Sequence, residues 1–257
     1  MSIRLAVAGK GGVGKTTLSA VLAQSLARRG ERVVAIDADP NNCLGRALGF
    51  PESVLNSVRP LSEMKEALSA LAGTREGGGF FSMNPPVEQL LADHKLEHGG
   101  VSLVVMGTID EPGAGCVCPE STVLKAVVRH LVGLDDTAVI MDMEAGLEHL
   151  GRGTARHIGA LLIVSEPTPA SARTATRVAR LGRGLGLQVA GVALNKTGSA
   201  ADEERVRPYL DDLRVVAMLP FDPAVAASEI VPAAGPYVES AEELLRQVSG
   251  MLAGAQA

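Results

Sequence analysis

The sequence predicts an α/β fold, a mostly parallel central sheet with helices on both faces. Three observations carry that prediction. Short continuous apolar runs recur along the chain, of a length suited to strands buried on both sides. Segments with apolar residues at helical spacing separate them. The first apolar run passes into the first helical segment through a glycine-rich loop. At 257 residues, the chain is expected to form one domain over 1–257 with a substantial core.

The elements follow in order. Ile3–Ala8 is the first apolar run, and Lys15–Arg29 carries Leu18, Val21, Leu22 and Leu26 at helical spacing. Gly30 is placed to end that helix before a second strand, Arg32–Ile36, which runs into Asp37-Ala38-Asp39-Pro40. The stretch from Asn41 to Gly100 is less regular. It predicts a helix near Leu61–Leu71, a turn at Gly77–Gly79 and a short helix near Val87–Ala92, together an excursion over the sheet. Val101–Met106 resumes the alternation, with a loop to Cys118, a helix from Pro119 to about Leu131, and a strand Ala138–Met141 ending at Asp142. Strand Gly159–Val164, helix Ala170–Leu185 and strand Val189–Leu194, ending at Asn195-Lys196, come next. Helix Ala201–Leu210, strand Arg214–Leu219 and a terminal helix over Val238–Leu252 complete the pattern.

Composition narrows the functions. Twenty-four basic against twenty-nine acidic side chains give a net charge of −5, with no general attraction for nucleic acid. Four Phe, two Tyr and no Trp leave little aromatic surface on which bases could stack. No charged-then-apolar leader precedes Ile3, so a cytoplasmic location is expected. Apolar runs such as Ile158–Val164 are too short to span a bilayer. The terminal helix sets Glu239, Glu242 and Glu243 against Arg246, the reverse of a membrane-surface helix. Neither a nucleic acid nor a membrane is therefore expected as a partner.

The strongest local signal is Gly9-Lys10-Gly11-Gly12-Val13-Gly14-Lys15-Thr16, a complete Gly-x4-Gly-Lys-Thr phosphate loop between a strand and a helix. Gly11, Gly12 and Gly14 permit backbone angles closed to other residues, so successive N–H groups can turn onto the phosphates of ATP at a helix N-terminus. Lys15 reaches the β and γ phosphates in such a loop, the Thr16 hydroxyl binds Mg²⁺, and Thr17 contacts the α phosphate. The expected fold is thus a P-loop NTPase. Asp37 and Asp39, at the end of the second strand, project towards the loop, where carboxylates hold the waters of Mg²⁺ or orient an attacking water. Asp-Pro also begins turns, which is the plainer role for Asp39.

A second element goes beyond a general ATPase. Cys116 and Cys118, in Gly113-Ala114-Gly115-Cys116-Val117-Cys118-Pro119, are two thiols one residue apart in a reducing compartment. Such a pair supplies half of a tetrahedral sulfur site, and a two-fold dimer would bring the other half. Pro119 suits the first turn of the next helix, which favours a thiolate at Cys118. Small buried residues in a turn, or a strained disulfide, are the alternatives. Cys43 reads as a small buried residue. His94, His98, His130, His149 and His157 form no close ligand spacing.

With Lys10, the loop takes the form Lys-Gly-Gly-Val-Gly-Lys-Thr-Thr, and the chain resembles the deviant Walker A family of Min and Par positioning ATPases and the nitrogenase iron protein. The resemblance implies that Lys10 crosses a dimer interface to the partner's nucleotide, tying ATP binding to a homodimer. It makes Asp39 the hydrolysis residue and Asp142 the Walker B magnesium residue, with a γ-phosphate switch at Glu144-Ala145-Gly146. Asn195 matches the adenine-recognition position, and Pro220 to Asp222 the second wall of the base pocket. More narrowly, Asp37-Ala38-Asp39-Pro40-Asn41, Cys116-Val117-Cys118-Pro119 and Asp142-Met143-Glu144-Ala145-Gly146-Leu147-Glu148-His149-Leu150-Gly151-Arg152-Gly153-Thr154 are similar to the CooC type. These are accessory ATPases that assist nickel insertion into carbon monoxide dehydrogenase.

That resemblance implies a metal switch. ATP stabilises a dimer, Ni²⁺ binds between the Cys-x-Cys pairs, and hydrolysis loosens the site beside the dehydrogenase. Zn²⁺ also suits four sulfurs. Acetyl-CoA synthase is an alternative client. An iron–sulfur electron donor like the nitrogenase iron protein is an alternative class, although that family uses cysteines far apart in sequence. A positioning module on DNA or membrane is disfavoured by the acidic charge.

Overall fold

The computed structural model describes residues 2–73, 86–107, 119–145, 147 and 158–254. Their strands are β1 (Arg4–Gly9), β2 (Arg32–Ala38), β3 (Leu96–His98), β4 (Val101–Val105), β5 (Thr137–Met143), β6 (Ala160–Ser165), β7 (Val189–Thr197) and β8 (Val215–Pro220). They form one eight-stranded sheet in the order β3-β4-β2-β5-β1-β6-β7-β8. Every pairing is parallel except that of the edge strand β3 with β4.

The apolar runs do what a doubly covered sheet requires. Along β1, Leu5 and Val7 enter one core while Ala6 and Ala8 enter the other, because successive side chains leave a strand on opposite faces. On the first face lie α1 (Lys15–Arg28), α2 (Leu44–Ala47) and α10 (Pro236–Gly254), which contribute Leu22, Leu44 and Leu245. On the second lie α4 (Lys65–Ala72), α5 (Glu88–His94), α6 (Pro119–Val132) and α7 (Pro169–Leu185), with Leu68, Leu91, Val127 and Val178. The excursion from Asn41 to Gly100 therefore starts on one face and ends on the other. It changes face between Val58 and Leu61, beyond the carboxyl end of β4, where the Ser62 N–H donates to the Met106 carbonyl at 2.9 Å.

Helix boundaries follow local chemistry. Thr168 caps α7 by accepting from the Ser171 N–H at 3.3 Å, Pro169 occupies the first turn, and Gly186 ends the helix at φ 86. The helix expected over Ala201–Leu210 stops at Val206, as α8 (Ala201–Val206), because Pro208 has no N–H to continue it and the chain tightens into a 3₁₀ turn. The helix expected near Leu61–Leu71 divides into a 3₁₀ turn, Leu61–Glu63, and α4. Like α2, the four-residue helices α3 (Glu52–Leu55) and α9 (Pro223–Ala226) carry no periodic signal of their own. Along α10, Tyr237, Val238, Ala241, Leu244, Leu245 and Val248 are buried, so its apolar stripe is consumed by the core. No helix of the described residues is long and apolar enough to cross a membrane.

Candidate functional site

The carboxyl ends of β1, β2 and β5 meet beside one open cleft of about 400 Å³. Gly9, Gly11, Gly12, Gly14, Lys15 and Thr16 line it from the loop, and Asp39, Asn41, Cys43 and Glu144 from outside it. Its position is the crevice where open α/β sheets hold ligands. The loop is built for close approach. A β-carbon on Gly9 would overlap the Val164 carbonyl of β6, and one on Gly14, at φ 92, would overlap the Asn195 amide. Gly14 gives α1 no side-chain cap, and the first turn holds no acidic residue, so its amides remain donors for an anion. Val13 is 1 % exposed and packs into the core, which leaves its backbone as the part available to the loop.

Carboxylates lie beneath the loop. Thr16 donates its hydroxyl to Asp142 Oδ2 at 2.6 Å, and Ser19 reaches Asp142 Oδ1 at 3.4 Å. Asp37 stands opposite Asp142 in the parallel register of β2 and β5. It is fully buried and accepts from the N–H of Leu44 at 2.9 Å and of Asp39 at 3.3 Å. Asp39 faces Lys15, Nζ to Oδ2 3.7 Å, and its other oxygen takes the Asn41 N–H at 3.0 Å and side-chain amide at 2.9 Å. The turn role and the cleft role of Asp39 thus coexist, one on each oxygen.

Burial, and then the Asp142 carboxylate, push Asp37 up to about 7. Burial likewise raises Asp142 to about 6, against the opposing pull of the Thr16 hydroxyl and Lys15. Both groups hold their proton more tightly folded than unfolded, where an aspartate titrates near ~3.9. Their stabilising contribution is therefore complete below the unfolded value and is lost as pH rises through about 6 and about 7. Without Mg²⁺ and nucleotide, the thermal midpoint is expected to fall between about pH 5.5 and about pH 8. Asp142→Asn, whose amide can still accept from Thr16 and donate to Ser19, is expected to flatten that fall. A wild-type midpoint flat over this range would overturn the prediction, and a fall unchanged in Asp142→Asn would exclude the buried pair as its source.

On the far side of the loop, Asn195 is 3 % exposed. It donates from Nδ2 to the Val13 carbonyl at 2.7 Å and accepts the Lys196 N–H at 2.9 Å. Lys196 donates from Nζ to the Gly12 carbonyl at 2.8 Å and to Glu166 Oε1 at 2.6 Å. Sequence reading singled out Asn195 and passed over Glu166, which no motif marks. Pro220 closes β8 opposite Thr197, and Asp222 caps α9 by accepting the Ala224 N–H at 2.9 Å. Lys10 is exposed between glycines of the loop, and Thr17 is half-buried in the first turn of α1.

Cys43 departs from expectation. The turn that Asp39 holds, with Asn42 at φ 47, leaves the thiol exposed on the cleft, its sulfur 3.4 Å from the Asn41 carbonyl. Partial burial, and then the charges of Asp37 and Asp39, push its pKa up, which disfavours the thiolate. Cys116, Cys118, Gly146 and the stretch Glu148–Thr154 lie outside the described residues. Among the described residues, no group of three or more His, Cys, Asp or Glu could hold a metal ion.

Fold and site together define a P-loop nucleotide-binding protein. The CobQ/CobB/MinD/ParA nucleotide binding domain matches residues 5–231. The chain is 38 % identical over 228 residues to the carbon monoxide dehydrogenase accessory protein CooC of Rhodospirillum rubrum, covering 88 % of this chain and 87 % of that protein. It is also 38 % identical over 234 residues to an uncharacterized ATP-binding protein of Methanocaldococcus jannaschii, covering 89 % of each. The septum site-determining protein MinD of Pyrococcus horikoshii, solved with Mg-ADP, shares the fold at a TM-score of 0.66 and 21 % identity, covering 100 % of this chain and 99 % of that one. The chain belongs to the CobQ/CobB/MinD/ParA nucleotide-binding family, and within it to the CooC type.

Proposed function

We propose that this chain is a MgATP-dependent dimeric metallochaperone. It carries Ni²⁺ between Cys116 and Cys118 of two copies and assists nickel insertion into the active-site cluster of carbon monoxide dehydrogenase. The observation that carries the nucleotide half is the convergence of Lys15, Thr16, Asp39 and Asp142 beneath the phosphate loop. The metal half is supported by the Cys-x-Cys pair in a chain 38 % identical to a carbon monoxide dehydrogenase accessory protein. The chain acts as one P-loop domain over residues 1–257, in the cytoplasm, without nucleic acid or membrane.

The amides of Gly11 to Gly14 and the Lys15 ammonium bind the β and γ phosphates, and Thr17 the α phosphate. The Thr16 hydroxyl and Asp142 form an all-oxygen donor pair beside the buried Asp37, a set that fits a hard divalent cation. Mg²⁺, when bound, neutralises charge on the phosphate oxygens. Asp39, braced by Asn41, orients the attacking water, and the P–O bond to ADP breaks as the bond to that water forms. Lys10 reaches the partner copy's nucleotide. Asn195, with one amide hydrogen beyond its bond to Val13, and the wall from Pro220 to Asp222 hold the adenine. Glu144, on the cleft, opens the segment through Gly146 that senses the γ phosphate.

The test is activation of nickel-free carbon monoxide dehydrogenase made without this chain. Nickel-loaded protein with MgATP is expected to restore activity severalfold faster than nickel alone, and a non-hydrolysable ATP analogue is not. Equal activation with and without ATP would remove the switch. Activation of nickel-free acetyl-CoA synthase in place of the dehydrogenase would transfer the chaperone to that client.

A further inference from the structure

Two consecutive residues of β7 hold two consecutive carbonyls of the phosphate loop, Asn195 that of Val13 and Lys196 that of Gly12. In a regular strand, neighbouring side chains point to opposite faces, and only one of the two would reach the loop. Here the register of β7 against β8 shifts between Leu194 and Thr197, and Lys196 takes φ 59, a left-handed conformation that a β-carbon disfavours. The irregularity turns Lys196 onto the same target as Asn195. Its ammonium is held there from the other side by Glu166, the residue after β6.

The peptide unit is planar and trans, so a carbonyl and the N–H that follows it point in opposite directions. Holding the Gly12 and Val13 oxygens from outside directs the Val13 and Gly14 N–H groups the other way, away from β7 and into the loop. The loop braces itself weakly in this stretch, through a long Val13 N–H to Lys10 carbonyl contact of 3.4 Å. An external brace therefore bears on whether the amides converge.

We propose that Lys196, held by Glu166, is a positioning residue for the phosphate loop: through the Gly12 carbonyl it sets the orientation of the loop amides and so the affinity for the β and γ phosphates. The inference rests on the phosphate-loop reading above. Lys196 needs no contact with the nucleotide for this role.

Affinities of Lys196→Met, Lys196→Arg and Glu166→Gln for MgATP, MgADP and AMP test it by calorimetry, beside Lys15→Ala and the thermal midpoint of each variant. Lys196→Met is expected to weaken MgATP and MgADP about tenfold, the size of one lost charge-assisted hydrogen bond, and to leave AMP within about twofold. Lys196→Arg, which can span the same carbonyl and carboxylate, is expected to recover most of the loss, and Glu166→Gln to fall between. An unchanged MgATP affinity in Lys196→Met overturns the proposal, and so does an equal loss for AMP, which would place Lys196 at the base. If Lys15→Ala also binds MgATP like the wild type, the phosphate-loop reading has failed; if Lys15→Ala alone loses binding, only the brace has.

Discussion

Replacing Lys15 with alanine is expected to weaken MgATP binding at least about a hundredfold and to abolish turnover while the protein remains folded. Lys15 is the single cationic side chain among the described residues lining the cleft, 6 % exposed, and it faces Asp39 at 3.7 Å with Asp142 nearby. Its removal turns a mixed field into one set by carboxylates, which repels a polyphosphate and leaves Asp39 without its counter-ion. A second consequence follows at Asp142, whose pKa Lys15 pulls down. Without that charge Asp142 protonates more readily, so the oxygen pair offered to Mg²⁺ is weakened as well. The fold should persist, because alanine favours the first turn of α1 and the core beneath it is made by Leu18, Val21 and Leu22. Calorimetry with phosphate release reads both effects. Turnover within about tenfold of the wild type, in a variant of unchanged thermal midpoint, would overturn the assignment of this loop.

Local chemistry was legible in the sequence and long-range register was not. β1, the loop and α1 are continuous, so the motif is read without tertiary information, although what crowds Gly9 and Gly14, the Val164 carbonyl and the Asn195 amide, comes from distant strands. That Asp37 and Asp142 stand side by side depends on β5 entering between β1 and β2, which hydrophobic periodicity cannot state. The strand expected to end at Met141 runs to Met143 for the same reason, since Ala38 continues the pairing there. The three residues of β3 form a strand through pairing with β4. Four-residue helices such as α2 are shorter than the period that would reveal them. Pro208 was a visible stop signal within the helix expected over Ala201–Leu210, and the missing N–H prevailed. Lys196 reaches the loop through a positive φ and a register shift, both products of tertiary packing. The exposure of Cys43 likewise follows from the turn built on Asp39, where the sequence offered a lone small residue suited to a core.

The second large effect concerns metal. Wild-type protein titrated anaerobically with Ni²⁺ in the presence of nucleotide and excess Mg²⁺, which keeps the nucleotide site filled, is expected to bind about one Ni²⁺ per two chains, and Cys116→Ser or Cys118→Ser to bind none at the same concentration. The stoichiometry follows from ligand count: one chain supplies two thiolates, a closed sulfur site needs four, and a two-fold axis doubles whatever one copy presents. Serine is nearly the size of cysteine but replaces a soft thiolate with a hydroxyl that stays protonated near neutrality, so the loss tests ligation and not packing. No group of three or more His, Cys, Asp or Glu among the described residues could capture the ion instead, and Cys43, with its raised pKa, serves as the control thiol. Cys43→Ser is expected to bind metal as the wild type does. Size measured across the titration should show the nucleotide-dependent dimer in every variant, with metal bound to it in the wild type and in Cys43→Ser alone. One ion per chain that survives both substitutions would reject a site shared between copies, and retention by Cys116→Ser together with loss in Cys43→Ser would move the metal to the nucleotide cleft.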